Sequence, residues 1–319
     1  MELDYRAVKK EDLHVHLNGA VPSSTFKRLV EKHKIVLPDT FNIDEHLNIL
    51  QPVNMYEDYF LPWSLFRLLP VTKDCLKIMV HDCLEAMAKD NVQYTELRHS
   101  ILNIATLNSI SLSEAISWLG ESIQDACMKL PINAKLIISL DRTGLTLDRG
   151  KQLLEALSHS EYKQTVVGLD LTGNENISIP KEISSVFRKG KDDHGLGITI
   201  HAGERGHIDH IYWAMNDCLA DRIGHGLAAA KSPELLTELA EKGICMEVCL
   251  SANLRTGLAT LEPHPVIEFA KYNIPFCLCT DNPALHNLNL SHDWQLLSSI
   301  GVPISVDQLQ HITREYAFS

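Results

Sequence analysis

"DLHVHLNGA" (residues 12–20) sets two histidines one residue apart inside an apolar run. An extended chain turns alternate side chains to one face, so His14 and His16 point together into whatever this strand lines. Two imidazoles buried side by side have two explanations. They are core histidines satisfied by local hydrogen bonds, or they are two ligands of one metal ion. The choice depends on what the rest of the chain brings to that end of the strand.

The stretch is the first of eight similar runs. The others are "VQYTELR" (92–98), "KLIISL" (135–140), "VVGLDL" (166–171), "GITIHA" (197–202), "DRIGHG" (221–226), "ICMEVC" (244–249) and "PFCLCTD" (275–281). Several are nearly continuous in Val, Ile, Leu and Cys, as parallel strands buried on both faces are. Helical patterns separate them; Ile116, Leu119, Ile123 and Cys127, for example, make one helix face. A longer helical segment, roughly 23 to 90, follows the first run. The pattern predicts an α/β fold, a (β/α)8 TIM-type barrel with a helical insertion after strand 1, as a single domain over residues 1–319. An open doubly wound sheet is the rival, but it calls for a G-x-G-x-x-G turn that the chain lacks.

Composition narrows the partners. A net charge of −12 argues against nucleic acid and anionic membrane surfaces, and favours a small neutral solute. No stretch approaches the roughly 20 apolar residues that span a bilayer. The opening "MELDYRAVKKEDLH" has no apolar export core, and the eight cysteines form no C-x-x-C pair. Reduced thiols acting as small hydrophobes in a cytoplasmic protein are the reading.

A barrel carries its chemistry at the C-terminal ends of its strands. There the first run ends in His14, His16 and Asn18, and the fifth continues into "HAGE", with His201 and Glu204. The sixth carries His225 in "RIGHG", and the eighth ends in "CTDNP", with Asp281 and Asn282. Singly, each has an ordinary structural explanation: a helix cap, a turn before Pro283, a satisfied carbonyl. Placed together at one end of several strands, they point to an assembled metal site. Three imidazoles and a carboxylate suit Zn2+ with one position left for water, and no thiolate stands there to close the site. Water on such an ion ionises near neutrality, and Glu204, three residues after His201, is placed to move a proton. This is metal-assisted hydrolysis with the substrate unnamed.

Six blocks then stand in order between about residue 11 and about residue 290: "LHVHLNGA", "GLDLTGNE", "HAGE", "RIGHG", "EVCLSANLRTG" and "HPVIEFAKYNIPFCLCTDNP". In content and spacing they resemble the signature of the adenosine deaminase family, a branch of the amidohydrolase superfamily. The resemblance implies a barrel holding one Zn2+ per chain that hydrolyses the exocyclic amine of a purine nucleoside and releases ammonia. Adenosine and 2′-deoxyadenosine lead the substrates it implies. His14, His16, His201 and Asp281 match the zinc ligands, with His16 also bordering the substrate. Glu204 matches the residue that protonates purine N1, His225 the one that holds the attacking hydroxide, and Gly173 the backbone N–H that reads purine N3.

Two positions depart from the family pattern. Asn282 stands where an Asp commonly contacts purine N7; an amide donates there without needing a proton. Asn18 stands where adenosine-specific members carry Asp beside the 5′-hydroxyl, which opens the site to a 5′-phosphate or another 5′ modification. Adenine and N6-methylated nucleotides follow as alternative substrates. In the insertion, Tyr56, Tyr59, Phe60, Trp63 and Phe66 recur at helical spacing and read first as core packing, second as a lid. Glu96 and Arg98 read as an ion pair on one strand face. Two other functions fit the sequence less well. A binuclear amide or ester hydrolase often has a lysine in the fourth run, which "VVGLDL" lacks, and a non-catalytic binding protein should have a damaged ligand set, whereas this one is intact.

Overall fold

The computed structural model describes residues 3–319. Its strands are β1 (Lys10–His16), β2 (Val92–His99), β3 (Asn133–Asp141), β4 (Val166–Thr172), β5 (Gly197–Ala202), β6 (Arg222–His225), β7 (Cys245–Val248) and β8 (Phe276–Leu278). They pair in parallel and in chain order, each at the place the apolar runs predict. The ring closes at its rim. Asp281 N donates to His14 O and His16 N donates to Asp281 O, both at 2.9 Å, forming a parallel bridge between Val15 and Asp281. The residue that closes the barrel is thus one of the expected metal ligands.

The strands read as apolar runs because helices cover their outer faces. In β4 every residue but Thr172 is buried. The helix Leu112–Cys127 turns Ala115, Ile116, Leu119 and Ile123 inward, and the Ser111 side chain caps it by accepting from Glu114 N. Cys127, at the end of that face, is only partly buried. After β1 the insertion forms Ser23–Lys32, Ile43–His46, Tyr56–Phe60, Leu61–Phe66 and Lys73–Lys89. Its first and last helices pack on the barrel through Phe26, Leu29, Leu76, Met79 and Leu84, and residues 56–66 border its mouth.

Beneath the mouth the barrel interior is ionic. Glu96, Arg98, Asp170, Thr199, Arg222 and Glu247 are all fully buried. Glu96 and Arg98 do not pair with each other, contrary to the sequence expectation. Residues two apart on a strand stand about 7 Å apart, and here each side chain turns to a closer partner on another strand. Arg98 reaches Glu247 at 3.1 Å and Asp170 at 3.5 Å; Glu96 meets Arg222 at 2.5 Å. All eight cysteines are free thiols, seven of them buried. Among the described residues no helix is long and apolar enough to cross a membrane.

Candidate active site

The fold brings His14 and His16 from β1, His201 from β5 and Asp281 from the end of β8 to one point. His16 Nε2 lies 3.2 Å from His201 Nε2, and Asp281 Oδ1 lies 3.3 Å from His16 Nε2 and 3.6 Å from His14 Nε2. Gly224 in β6 makes room for this approach, since a Cβ there would stand 3.2 Å from His14 Cε1. His14 Nε2 is buried with no hydrogen-bond partner. The outer nitrogens explain the orientation. Glu247 Oε2 stands 2.6 Å from His14 Nδ1, and Asp170 Oδ1 stands 2.9 Å from His201 Nδ1. Each carboxylate takes an Nδ1 proton and leaves Nε2 as a lone pair facing the cluster, the arrangement that orients metal-binding histidines.

Electrostatics supports the same reading for the two β1 histidines. Burial holds His14 and His16 well below the ordinary histidine range, so both are neutral and able to coordinate. His201 goes the other way, because Asp170 outweighs the effect of burial. Burial pushes the Asp281 carboxyl up to about 7. Both His225 and Asp281 adopt φ 62°, an uncommon left-handed conformation at the ends of β6 and β8. Three converging imidazole nitrogens and one carboxylate oxygen fit a divalent ion of the zinc type.

On the open side of this cluster stands Glu204, with Oε1 3.9 Å from His225 Nε2. Burial raises its pKa above the usual carboxylate range, against the opposing effects of His201 and a hydrogen bond from Tyr56 Oη at 2.8 Å. Burial also pushes His225 down to about 3, and its Nδ1 is held by Asn253 at 3.0 Å, leaving Nε2 towards Glu204. The loop bearing Glu204 is pinned from below. Glu175 of "TGNE" accepts from Gly203 N at 2.5 Å and Arg205 N at 2.8 Å. Arg142 donates to His201 O at 2.6 Å.

A cavity of about 470 Å³, within the size range of small-molecule sites, opens above the cluster. His16, Asn18, Gly173, His201, Glu204, His225, Asp281 and Asn282 all line it, and His14 lies beneath. Gly173 has φ 96°, and a Cβ there would stand 2.8 Å from Asp141 Oδ1, so glycine lets the backbone face the cavity.

The aromatic stripe divides, correcting its reading as packing. Phe66 joins the core against Phe26, while Tyr56, Tyr59, Phe60 and Trp63 line the cavity. Tyr59 ties the stripe to the site: Asn282 Nδ2 donates to Tyr59 Oη at 3.0 Å, and that hydroxyl lies 3.0 Å from His286 Nε2. Sequence reasoning missed Asn253, Asp170 and Glu247, and the hydrogen bonds that Tyr56 and Tyr59 make at the site. For Asp170 and Glu247 a signal existed, because a carboxylate inside "VVGLDL" or "ICMEVC" is buried, and a buried charge needs a partner.

The Tyr56 hydroxyl favours the ionised form of Glu204, so Tyr56→Phe should raise the Glu204 pKa. If protonated Glu204 is the active form, the alkaline limb of kcat/KM moves to higher pH. A pH–rate profile checks it, and a limb unmoved or moved downward removes Tyr56 from this role.

Comparison with known proteins agrees with the geometry. The adenosine deaminase family profile matches residues 9–314. An adenosine deaminase from Aliivibrio fischeri is 29% identical over 306 residues, covering 94% of this chain and 90% of its own. Among solved structures, an amidohydrolase from Burkholderia ambifaria with bound Zn superposes with a TM-score of 0.87 at 24% identity, over 100% of this chain and 90% of that one. An N6-mAMP deaminase from Arabidopsis gives 0.83 at 23%, over 99% and 95%. At these identities the structural likenesses speak for the fold.

Proposed function

The chain belongs to the adenosine deaminase family, and from that premise we propose that it is a zinc-dependent deaminase converting adenosine and 2′-deoxyadenosine to the inosine nucleosides and ammonia. Family membership carries the reaction class, hydrolysis of a C–N bond in a cyclic amidine. The observation that carries the site reading is Glu204, a buried carboxyl group with raised pKa, facing both His225 and the three-histidine cluster.

In this reading His14, His16, His201 and Asp281 hold the ion. When bound, zinc polarises a water and lowers its pKa towards neutrality. The chain's own residues do the rest. Glu204, protonated, donates to purine N1 and withdraws electron density from C6, the carbon to be attacked. His225, neutral, orients the attacking oxygen and keeps it from drifting out of line. The Glu204 carboxylate left behind takes one proton of the attacking water and passes it to the departing amine, and the second water proton returns to it as C6 becomes a carbonyl. Gly173 N–H meets N3. The Asn282 amide has two N–H groups, so one donates to N7 while the other keeps Tyr59. The aromatic rings of the insertion exclude water from this pocket.

A second reading concerns the 5′ substituent. Asn18 is uncharged, and Arg67 and Ser64 line the same cavity, a donor set suited to an anion such as a 5′-monophosphate. One panel tests both. Purified protein, chelated and then reloaded with zinc, is assayed for ammonia release from adenosine, 2′-deoxyadenosine, adenine, AMP, N6-methyl-AMP and aminodeoxyfutalosine. The expected result is turnover of both nucleosides, abolished by chelation and restored by zinc. Selective turnover of the phosphorylated compounds replaces the first substrate assignment with the second. Zinc-loaded protein inert on every aminopurine sinks the function.

A further inference from the structure

We propose that Phe318 is a positioning residue for metal binding, acting from the opposite mouth of the barrel through Arg222 and Glu247 on His14. The proposal rests on the reading of His14 as a ligand. Its basis is an unbroken run of short contacts down the barrel axis. The Phe318 ring lies under the Arg222 guanidinium, 3.7 Å from ring centre to Cζ. Arg222 Nε stands 2.8 Å from Glu247 Oε1, and Glu247 Oε2 stands 2.6 Å from His14 Nδ1. Three side chains separate the barrel floor from the candidate metal cluster.

The backbone on either side of the ring is built into the same layer. Phe318 N donates to Glu96 Oε1 at 2.6 Å, and Tyr94 Oη donates to Phe318 O at 2.9 Å. Arg222 Nη1 donates to Tyr316 O at 2.8 Å, while its Nη2 holds Glu96. Residues 316–318 therefore supply polar groups to both members of the Glu96–Arg222 pair. The ring has a slot prepared for it. Gly168 and Gly197 are register neighbours on β4 and β5; a Cβ on Gly197 would stand 2.2 Å from the ring, and one on Gly168 2.8 Å. Side chains at those two positions would evict it.

The physical consequence follows from dielectric. Arg222, Glu96 and Glu247 are fully buried, so their attraction is undiminished by water. The Phe318 ring covers a face of the guanidinium and adds a cation–π contact. Removing it admits water to Arg222 and weakens its grip on Glu247, and His14 loses part of its orientation. Arg98 at 3.1 Å and Thr199 at 2.9 Å still hold Glu247, so the loss is partial. About tenfold faster metal release is expected, the lower end of what outer-shell changes produce.

The test compares zinc-loaded wild type with Phe318→Ala, Phe318→Leu and a control, Leu153→Ala, a buried change in the helix Leu147–Ser158 away from this layer. Zinc transfer to a chromogenic chelator is timed, and the melting temperature of each apoprotein is measured separately. Phe318→Ala should release zinc about tenfold faster, and Phe318→Leu by a smaller factor in the same direction. Leu153→Ala should release it at the wild-type rate despite an equal or larger drop in melting temperature. If Phe318→Ala does not fold, Phe318→Leu carries the comparison alone. Wild-type release rates in the Phe318 variants, or matched acceleration in Leu153→Ala, overturn the proposal. Wild type that retains no zinc overturns instead the assignment of His14 as a ligand.

Discussion

Glu204→Gln is expected to lower kcat by about three orders of magnitude while leaving zinc content and product affinity nearly unchanged. The substitution keeps volume and the ability to donate an N–H, so it isolates one property, a transferable proton. In the proposed sequence the carboxyl group acts twice: Glu204 gives a proton to N1 before attack, and the resulting carboxylate carries another to the departing amine. Glutamine can do neither. The Tyr56 hydroxyl at 2.8 Å and His225 at 3.9 Å both find a group of the same shape, so the pocket has no reason to rearrange. The measurement pairs single-turnover rates with metal analysis and inosine binding. A variant retaining zinc and losing less than tenfold in kcat would move the acid role elsewhere, to Asp281 or Asp141, the other carboxyl groups that line the cavity.

How far the sequence reached depends on what kind of contact decides each residue's place. All eight strands were legible because double burial writes itself as a continuous apolar run, as in "VVGLDL". The convergence of the candidate metal donors was legible because each ends such a run, and barrel topology then sends all of them to one rim. Pairings across the barrel were not. Glu96 and Arg98 looked like partners from their spacing, yet each answers to a strand distant in the chain. The aromatic stripe was ambiguous because a helix lining a cavity and one lining a core show the same period. Which rings face the cavity depends on how residues 56–66 pass over the mouth, and that is set by packing outside the stretch. Residues 316–318 carried no local signal; their contacts are with strands distant in the chain, among them β2, β4, β5 and β6.

Arg98→Met should destabilise the protein by about 3–5 kcal/mol, the range for breaking a buried ion pair by removing one member. The guanidinium is fully buried and spans two carboxylates, Glu247 at 3.1 Å and Asp170 at 3.5 Å, which in turn orient His14 and His201. Methionine fills much of the space and leaves those charges facing each other. Urea titration of the apoprotein measures the change, as a shift in midpoint at constant slope. The pH dependence identifies its cause. Burial opposes ionisation of both carboxyl groups, yet Arg98 with Arg222 for Glu247, and His201 with Arg98 for Asp170, hold them below their ordinary range. Such depressed groups contribute stability that is present above the unfolded pKa near 4 and lost as pH falls through the folded value. In the variant burial is opposed by less charge and the folded values rise. A group whose folded pKa exceeds its unfolded one loses stability as pH climbs past the unfolded value. The gap between wild type and variant should therefore widen from pH 5 to pH 8. A gap of the same size at both ends would mean that Arg98 contributes through packing alone, and that Asp170 and Glu247 keep their charge by other means.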